Sequence, residues 1–134
     1  MSVKLSDAVK KLFEEPNFPH LATIMRDGSP QVTPVWAEMD GENISVNTSE
    51  GRAKPRNVRR DPRVAISVHR QDNPYSSAFI RGRVVEVRTE GAEEQIHRLA
   101  KKYMGVDRYP ALHPGEQRLT FVIEPEHVAA MMVE

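Results

Sequence analysis

A cluster of basic residues is the part of this sequence whose residue types and spacing could do chemistry. Between positions 52 and 63 the chain carries six cations and one acidic residue, Asp61. The cations are Arg52, Lys54, Arg56, Arg59, Arg60 and Arg63. The chain as a whole is neutral, with 19 basic and 19 acidic residues, so this concentration of charge is local. It indicates a site for an anionic group rather than a protein that is basic throughout.

Within this cluster, Arg52 and Lys54 lie where a predicted strand passes into a short helix. Pro55 is tolerated in the first turn of a helix, so the pattern predicts a helix from about Lys54 to Arg60. The free N–H groups and the dipole at a helix N-terminus favour an anion. Because Asn57 follows one turn later, Arg52, Lys54 and Asn57 could converge on a group the size of a phosphate. The other arginines are expected to form the solvent face of the helix or to contact a partner.

Several common kinds of active site leave no trace in the sequence. There is no dinucleotide-binding GxGxxG, no P-loop, no GxSxG and no HExxH motif. The absence of cysteine excludes disulfides, thiolate zinc sites and cysteine nucleophiles. The five histidines are scattered without the spacing of metal ligands. No metal site is therefore expected, and no catalytic acid or base can be assigned.

The strands before the cluster are predicted from turn signals. The stretch "HLATIMRDGSPQVTPVWAEMD" contains two β-like runs around an Asp-Gly pair at 27–28, and a second Asp-Gly pair follows at 40–41. Three antiparallel strands in a meander are expected, and the third ends beside the cluster at about Ser49. Pro34 cannot donate to a β-ladder, so the second strand is expected at an edge or a bulge.

The elements after the cluster are strands and one long helix. The sequence predicts a strand over "RVAISVHR" and a loop over "QDNPYS". The segment "SAFIRGRVVEVRTE" is predicted as one long strand or as a strand bent at Gly82. A helix follows over "EGAEEQIHRLAKKYMG", with Gly105 as its C-cap. A proline-rich loop leads to "RLTFVIEPEHVAAMMV", which is predicted as a strand, a break at Glu-Pro and a second strand. A short amphipathic helix that ends before Pro16 precedes all of these elements.

This order of elements gives six or seven strands, mostly connected as hairpins, in 134 residues. The pattern favours a mainly β protein with a closed or partly closed antiparallel barrel and flanking helices. The length is typical of one domain, so residues 1–134 are expected to form a single domain.

Charge and hydropathy limit the kinds of partner that the protein is expected to have. No apolar run approaches the roughly 20 residues needed to cross a bilayer, and the N-terminal segment lacks the apolar core of a signal peptide. A cytoplasmic protein without a membrane partner is therefore expected. The neutral net charge also argues against a nucleic-acid partner.

The cluster and the strands before it resemble a known family. The segment "GRAKPRNVRRDPRVAISV", preceded by "DGSPQVTPVWAEMDGENISVNTS", resembles the split-barrel flavin and deazaflavin oxidoreductases, the superfamily of pyridoxamine 5′-phosphate oxidase. More closely, it is similar to the branch that uses coenzyme F420, a 5-deazaflavin. The matching pattern is a "LATxxxDGxPxxxPVW" double strand, a strand that ends in a small polar pair, and then "(R)AKxRNLxxDPRV". The resemblance extends from about Phe18 to Val128.

The resemblance implies a six-stranded antiparallel split β-barrel of the FMN-binding type, which forms a homodimer with cofactor sites at the interface. By this resemblance, the implied phosphate ligands are Arg52, Lys54 and Asn57, assisted by Thr48 and Ser49. The implied wall of the tricyclic ring is formed by Thr33, Pro34, Val35 and Trp36. Tyr75 and Ser76 would reach a site from the partner chain.

The function that the resemblance implies is hydride transfer between coenzyme F420 and a small, electron-poor organic acceptor. Because FMN also carries a phosphate, an FMN-binding oxidoreductase or flavin reductase on the same fold is the first alternative. A non-catalytic carrier of a flavin-type cofactor is the second alternative. A nucleic-acid-binding module is disfavoured, because no aromatic residues are interleaved with the cations.

Overall fold

A computed structural model describes residues 2–133 of the chain. Within these residues the chain forms three helices and seven strands. In chain order they are α1 (Asp7–Glu14), β1 (His20–Ile24), β2 (Pro30–Pro34), β3 (Ala37–Asp40), β4 (Asn43–Ser49), α2 (Ala53–Arg60), β5 (Arg63–Arg70), β6 (Asn73–Arg88), α3 (Ala92–Met104) and β7 (Arg118–Met131). The mainly β class with flanking helices is confirmed. The seven strands agree with the six or seven that the pattern predicts and correct the six that the resemblance implies.

The seven strands form one antiparallel sheet in the order β2-β1-β5-β6-β7-β4-β3. The two edge strands, β2 and β3, are consecutive in the chain, and only Val35 and Trp36 separate them. Three residue steps span at most about 11 Å, so the two edges must lie close together and the sheet must curl. The hydrogen-bonded ladder itself does not close. The result is an open, split barrel whose edges are joined by a two-residue connection.

The predicted three-stranded meander is wrong at its second strand. β2 pairs with β1, whereas β3 pairs with β4 on the other side of the sheet. Pro34 ends β2 because it has no N–H for the ladder. The next N–H, that of Val35, donates to the carbonyl of Pro19 at 2.8 Å instead. The expectation that Pro34 lies at an edge is confirmed, and the proline divides one predicted strand into two.

Two other predicted interruptions are absent. The sequence predicts a loop over 71–76, but β6 begins at Asn73, which pairs with Arg70 across a two-residue turn. The predicted break at Glu124 and Pro125 is also wrong, because β7 continues through both residues. The polar residues at the start of β6 are tolerated because pairing with β5 continues on either side of them. Pro125 is tolerated within β7 because pairing with β6 continues on either side of it.

The bend predicted at Gly82 is a β-bulge in the ladder between β6 and β7. The register shifts between Arg81 and Gly82, so that Gly82 pairs with Pro125. A Cβ atom on Gly82 would lie 2.1 Å from the backbone oxygen of Glu124, which is far inside contact distance. Glycine at this position therefore allows the two backbones to approach, and the bulge accommodates a proline within β7.

The core lies inside the curled sheet and beneath α1. Helix α1 begins at the cap residue Ser6, whose side chain accepts a hydrogen bond from the N–H of Val9 at 3.2 Å. Its buried face packs on the apolar side chains of the strands. Fully buried members of this core include Phe13, Leu21, Ile44, Val46, Ile66, Phe121 and Ile123. Six consecutive residues of β4, from 44 to 49, are buried, so the strand that leads to the basic cluster is held firmly.

Both predicted helices after β4 are confirmed. Helix α2 covers Ala53–Arg60 and buries Val58 against the sheet. Helix α3 covers Ala92–Met104 and ends at Gly105, whose φ of +73° is a left-handed conformation that favours glycine. None of the helices within residues 2–133 has the length and apolar character needed to cross a membrane.

Replacement of Gly82 by alanine tests the bulge. The added Cβ would collide with the backbone of Glu124, so we expect Gly82→Ala to lower the free energy of unfolding by about 1–3 kcal/mol. Urea denaturation monitored by circular dichroism measures this change. Val85→Ala, at an exposed position of the same strand, is the control and should change stability by no more than about 0.5 kcal/mol. An unchanged midpoint for Gly82→Ala would contradict the close approach.

Candidate functional site

The turn between β4 and α2 is fixed by its own backbone and by two arginines of the helix. The N–H of Glu50 donates to the carbonyl of Gln117 at 2.9 Å. Arg59 binds the Glu50 carboxylate through two hydrogen bonds of 2.6 and 2.8 Å, and Arg56 donates to the carbonyl of Gly51 at 2.8 Å. These two arginines, expected on the solvent face of the helix or at a partner, are exposed and also hold the turn that leads to Arg52.

The N-terminus of α2 carries positive charge without a neutralising acid. Arg52 is the N-cap residue, no side chain caps the helix, and the first turn contains no acidic residue. Lys54 donates to the hydroxyl of Thr33 at 3.1 Å. Within residues 2–133 neither Arg52 nor Lys54 forms a salt bridge with a carboxylate. Burial, and then the charge of Arg52, lower the pKa of Lys54 below its ordinary value. Two cations beside free helix N–H groups form a site that favours an anion.

A cavity of about 180 Å³ lies at this helix terminus. Its lining residues are Pro34, Val35, Trp36, Asn47, Thr48, Arg52, Lys54, Tyr109 and Arg118. The cavity thus brings together six of the residues predicted for the site, from three separate segments of the chain. A seventh, Thr33, joins them through its hydrogen bond to Lys54. We call this space the anion cavity.

The hydroxyl of Thr48 is the clearest sign that the anion cavity suits a ligand with polar oxygens. Thr48 is only 1% exposed, and its Oγ1 has no hydrogen-bond partner within residues 2–133. Buried polar atoms are nearly always hydrogen-bonded, so an unpaired one in a cavity wall indicates a missing partner. A phosphate oxygen fits this hydroxyl, the two cations and the free helix N–H groups together.

Asn57 and Ser49 lie outside the lining of the anion cavity. The side-chain NH₂ of Asn57 donates to Thr23 Oγ1 at 3.0 Å and to the sulfur of Met25 at 3.2 Å, so it joins α2 to β1 and its neighbouring turn. Asn57 is 2% exposed. Ser49 is buried, and its hydroxyl bonds the Glu116 carboxylate. In this structure both side chains therefore bind neighbouring protein groups and do not line the cavity.

Tyr75 and Ser76 are not brought to the anion cavity by this chain. Both lie near the start of β6, where Tyr75 is 67% exposed. Ser76 is buried and lines a different cavity, beside Lys11 and Arg70. Their expected approach to a site from a partner chain stays a prediction.

Three residues of the anion cavity were missed from the sequence. Arg118 is 4% exposed and forms an ion pair with Glu116 at 2.6 Å. Its Nε donates to Asn47 Oδ1 at 2.9 Å, and its guanidinium lies over the ring of Tyr109, 5.3 Å from the centroid. An arginine at the start of the apolar run "RLTFVI" was a signal for a buried, paired cation. Nothing in the sequence indicated where the loop that carries Tyr109 would lie.

Trp36 forms an aromatic wall beside the anion cavity. Its ring stacks on Tyr103 of α3, with a centroid distance of 5.2 Å and an interplanar angle of 8°. Tyr109 meets it edge-on, at 5.8 Å and 82°. Tyr103 is itself fixed, because its hydroxyl donates to the carbonyl of Asn17 at 2.7 Å. The indole orientation is therefore set by the protein rather than left to a ligand.

Glu116 ties the loop after α3 to the site. Its carboxylate accepts hydrogen bonds from the N–H of His113 at 3.0 Å, from Ser49 and from Arg118. These bonds lower the pKa of Glu116 to about 2. The carboxylate therefore stays ionised and neutralises Arg118 across the physiological pH range, which leaves Arg52 and Lys54 as the uncompensated charges of the cavity.

Comparison with known proteins gives one family and several related folds. Residues 5–132 match the family model of pyridoxamine 5′-phosphate oxidase. The solved structure of an F420 reductase is 31% identical, with a TM-score of 0.80, and the match covers 93% of this chain and 98% of that chain. A conserved hypothetical protein from Mycobacterium tuberculosis is 22% identical, with a TM-score of 0.70, over 97% of this chain and 86% of that chain. General stress protein 26 from Bacillus anthracis is 12% identical, with a TM-score of 0.70, over 96% and 94% respectively. The last two matches show the fold alone.

Replacement of Glu116 by glutamine tests the ionised carboxylate. Removing one partner of a buried ion pair is costly, so we expect Glu116→Gln to lower the free energy of unfolding at pH 7 by about 3 kcal/mol. The folded pKa of about 2 lies below the ordinary value of 4.5. The contribution of Glu116 is therefore present in full above about pH 4.5 and is lost as the pH falls towards 2. Denaturation of both proteins across this range measures the difference.

Glu93→Gln, at an exposed position of α3, is the control for this experiment and should show no comparable pH-dependent difference from the wild type. A stability difference between Glu116→Gln and the wild type that stays constant from pH 7 to pH 2 would refute the assignment.

Proposed function

The chain belongs to the pyridoxamine 5′-phosphate oxidase family, and on this premise we propose that it is an oxidoreductase that transfers a hydride between coenzyme F420 and a small, electron-poor organic molecule. The observation that carries the proposal is the unneutralised pair Arg52 and Lys54 at the uncapped N-terminus of α2. The unpaired Thr48 hydroxyl in the same cavity supports it. Together they fit the phosphate of a flavin-type cofactor.

Each group of the anion cavity has a distinct role in this proposal. Arg52 and Lys54 supply the charge that attracts the phosphate, and the free N–H groups of α2 and the hydroxyl of Thr48 donate to its oxygens. Each charge-assisted hydrogen bond of this kind contributes about 1.5–3 kcal/mol. Two or three such bonds hold the phosphate end of the cofactor in place.

The connection between the sheet edges supplies the wall for the rest of the cofactor. A cavity of about 180 Å³ accommodates a phosphate and the atoms next to it, but not a tricyclic ring as well. Pro34, Val35 and Trp36 line the cavity, and the ring of Trp36 stacks on Tyr103. When bound, the deazaflavin supplies the hydride chemistry, so the protein's task is to bind and orient it and to exclude water. This explains why no acid–base pair is needed in the sequence.

The choice of coenzyme F420 over FMN rests on the F420 reductase structure, which is 31% identical to this chain. The α2 terminus alone does not separate the two cofactors, because both present a phosphate. FMN is therefore the alternative ligand for the same cavity. Carriage of the cofactor without turnover is the alternative role, and it is distinguished by an activity assay.

We also propose that two copies of the chain associate through the outer face of the sheet. Val32, Phe79 and Val128 expose 61%, 47% and 41% of their surface and line one groove of about 760 Å³. Large apolar side chains that are exposed together in one groove favour an interaction site. Tyr75, near the start of the same strand as Phe79, is 67% exposed and in this proposal reaches the partner chain from there.

Fluorescence titration with coenzyme F420 tests the proposed function. We expect saturable binding by the wild type and an affinity about 10- to 100-fold lower for Lys54→Met, because one charge-assisted contact is lost. A parallel titration with FMN ranks the two cofactors. Lys101→Met removes the same charge from an exposed position of α3 and should bind as the wild type does. Failure of the wild type to bind coenzyme F420 would refute the proposal.

Light scattering after size-exclusion chromatography tests the proposed dimer. We expect twice the monomer mass for the wild type and the monomer mass for Phe79→Asp, because a carboxylate in an apolar interface must be desolvated without a partner. Val106→Asp places the same charge on an exposed apolar residue outside the groove and should leave the mass unchanged. A dimeric Phe79→Asp protein with native circular dichroism would exclude this face.

A further inference from the structure

Arg118 is a buried cation of the anion cavity, and its side chain is held by Asn47 and Glu116. Nε donates to Asn47 Oδ1 at 2.9 Å and Nη1 to Glu116 Oε2 at 2.6 Å, whereas Nη2 takes part in neither bond. The side chain is 4% exposed. A guanidinium that is almost fully desolvated is stable only where its hydrogen bonds hold it. The site therefore needs Asn47 to be in its place.

Asn47 is in turn held by α3. Its Nδ2 donates to the carbonyl of Ala92 at 2.8 Å and to Gln95 Oε1 at 2.9 Å. Gln95 is 3% exposed, and its Oε1 also accepts from the hydroxyl of Thr120 at 2.7 Å. A buried chain of hydrogen bonds thus runs from Arg118, through Asn47, to Gln95. It links the cavity to a helix that contributes no lining residue to it.

On its other side, Gln95 reaches a carboxylate near the surface. Its Nε2 donates to the hydroxyl of Ser45 and, at 3.2 Å, to Glu38 Oε2. Glu38 also accepts two hydrogen bonds from Arg98, at 3.0 and 2.6 Å. All the hydrogen-bonding groups of the Gln95 amide are therefore used inside the protein, and none is left to bind a ligand.

The charged ends of this chain fix the direction of every amide between them. Arg118 can only donate, so Asn47 must present its oxygen to it, and its NH₂ must face Gln95. Gln95 must then accept on that side and donate on the other, where the Glu38 carboxylate can only accept. Reversal of either amide would place two donors or two acceptors together. The chain consequently has one favourable arrangement.

From this geometry we propose that Gln95 is a positioning residue for the anion cavity: through Asn47 it orients Arg118, which contributes directed hydrogen bonds to the bound anion. The inference rests on the proposed function of that cavity as the phosphate site. Because Glu116 neutralises the charge of Arg118, Arg118 contributes directed hydrogen bonds to the anion rather than net positive charge. Arg52 and Lys54 supply the attraction, and Arg118, held from α3, selects the orientation of the phosphate.

A double-mutant cycle tests this proposal. Affinity for coenzyme F420 is measured by fluorescence, and affinity for inorganic phosphate by NMR titration, in the wild type, Gln95→Met, Arg118→Gln and the double variant. We expect Gln95→Met to weaken binding about 10-fold and Arg118→Gln at least as much. Because Gln95 acts through Arg118, the double variant should bind no more weakly than Arg118→Gln alone. A general loss of stability would not produce this dependence.

Ser45→Ala is the matched control. It removes a buried hydrogen bond of the same Gln95 side chain, on the side away from Arg118, and should leave both affinities within about twofold of the wild type. Thermal unfolding of all the variants shows whether each is folded at the temperature of the titration. If Gln95→Met does not fold, Gln95→Leu takes its place in the cycle, since it keeps most of the side-chain volume and also removes the acceptor that faces Asn47.

The outcomes separate the two proposals. Unchanged binding by a folded Gln95 variant, or losses that add in the double variant, would overturn the positioning role. If the wild type binds phosphate but not coenzyme F420, the proposed function fails while the Gln95 proposal is decided by the phosphate data. If the wild type binds neither, the cavity is not an anion site and both proposals fail.

Discussion

The site depends on two positive charges that the fold leaves uncompensated. Almost every other arginine near α2 has an acidic partner or a backbone oxygen, as shown by the pairs Arg59–Glu50, Arg63–Asp61 and Arg118–Glu116. Among residues 2–133, Arg52 and Lys54 have no such carboxylate, although Lys54 is half-buried and repelled by Arg52. Like charges that lie close together, one of them half-buried, cost free energy, so the rest of the fold has to maintain this arrangement. The buried strand β4, the braced turn at Glu50 and the apolar core under α1 supply that support.

The cluster itself was predictable because its signals are local. The position of a proline in a helix, the density of cations and the strand before them depend on neighbours in sequence, and α2 lies where they indicate. Asn57 illustrates the limit of this reasoning. Its place in the helix is predictable, but its side chain turns towards Thr23, because a buried amide and a buried hydroxyl from distant segments satisfy each other. That match appears only when the strands are assembled.

The architecture of the sheet was less predictable, because strand pairing also depends on contacts between segments that are distant in sequence. Alternation of apolar and polar residues shows that 30–40 is extended, but does not show which strands it pairs with. Pro34 reveals a missing donor, yet the division of one predicted strand between two opposite edges depends on the curl of the whole sheet. The loop that carries Tyr109 has a composition that any loop could have, and its position follows from contacts with Arg118 and Trp36.

The two-residue connection at Val35 and Trp36 is at once a wall of the cavity and the link between the edges of the barrel. Substitutions there act on ligand preference and on the integrity of the fold together, so the connection has little freedom to diverge. The loop between α3 and β7 does not link the edges of the sheet, and only part of its length lines the cavity. Sequence divergence within the family is therefore expected in that loop, while the connection is inherited with the barrel.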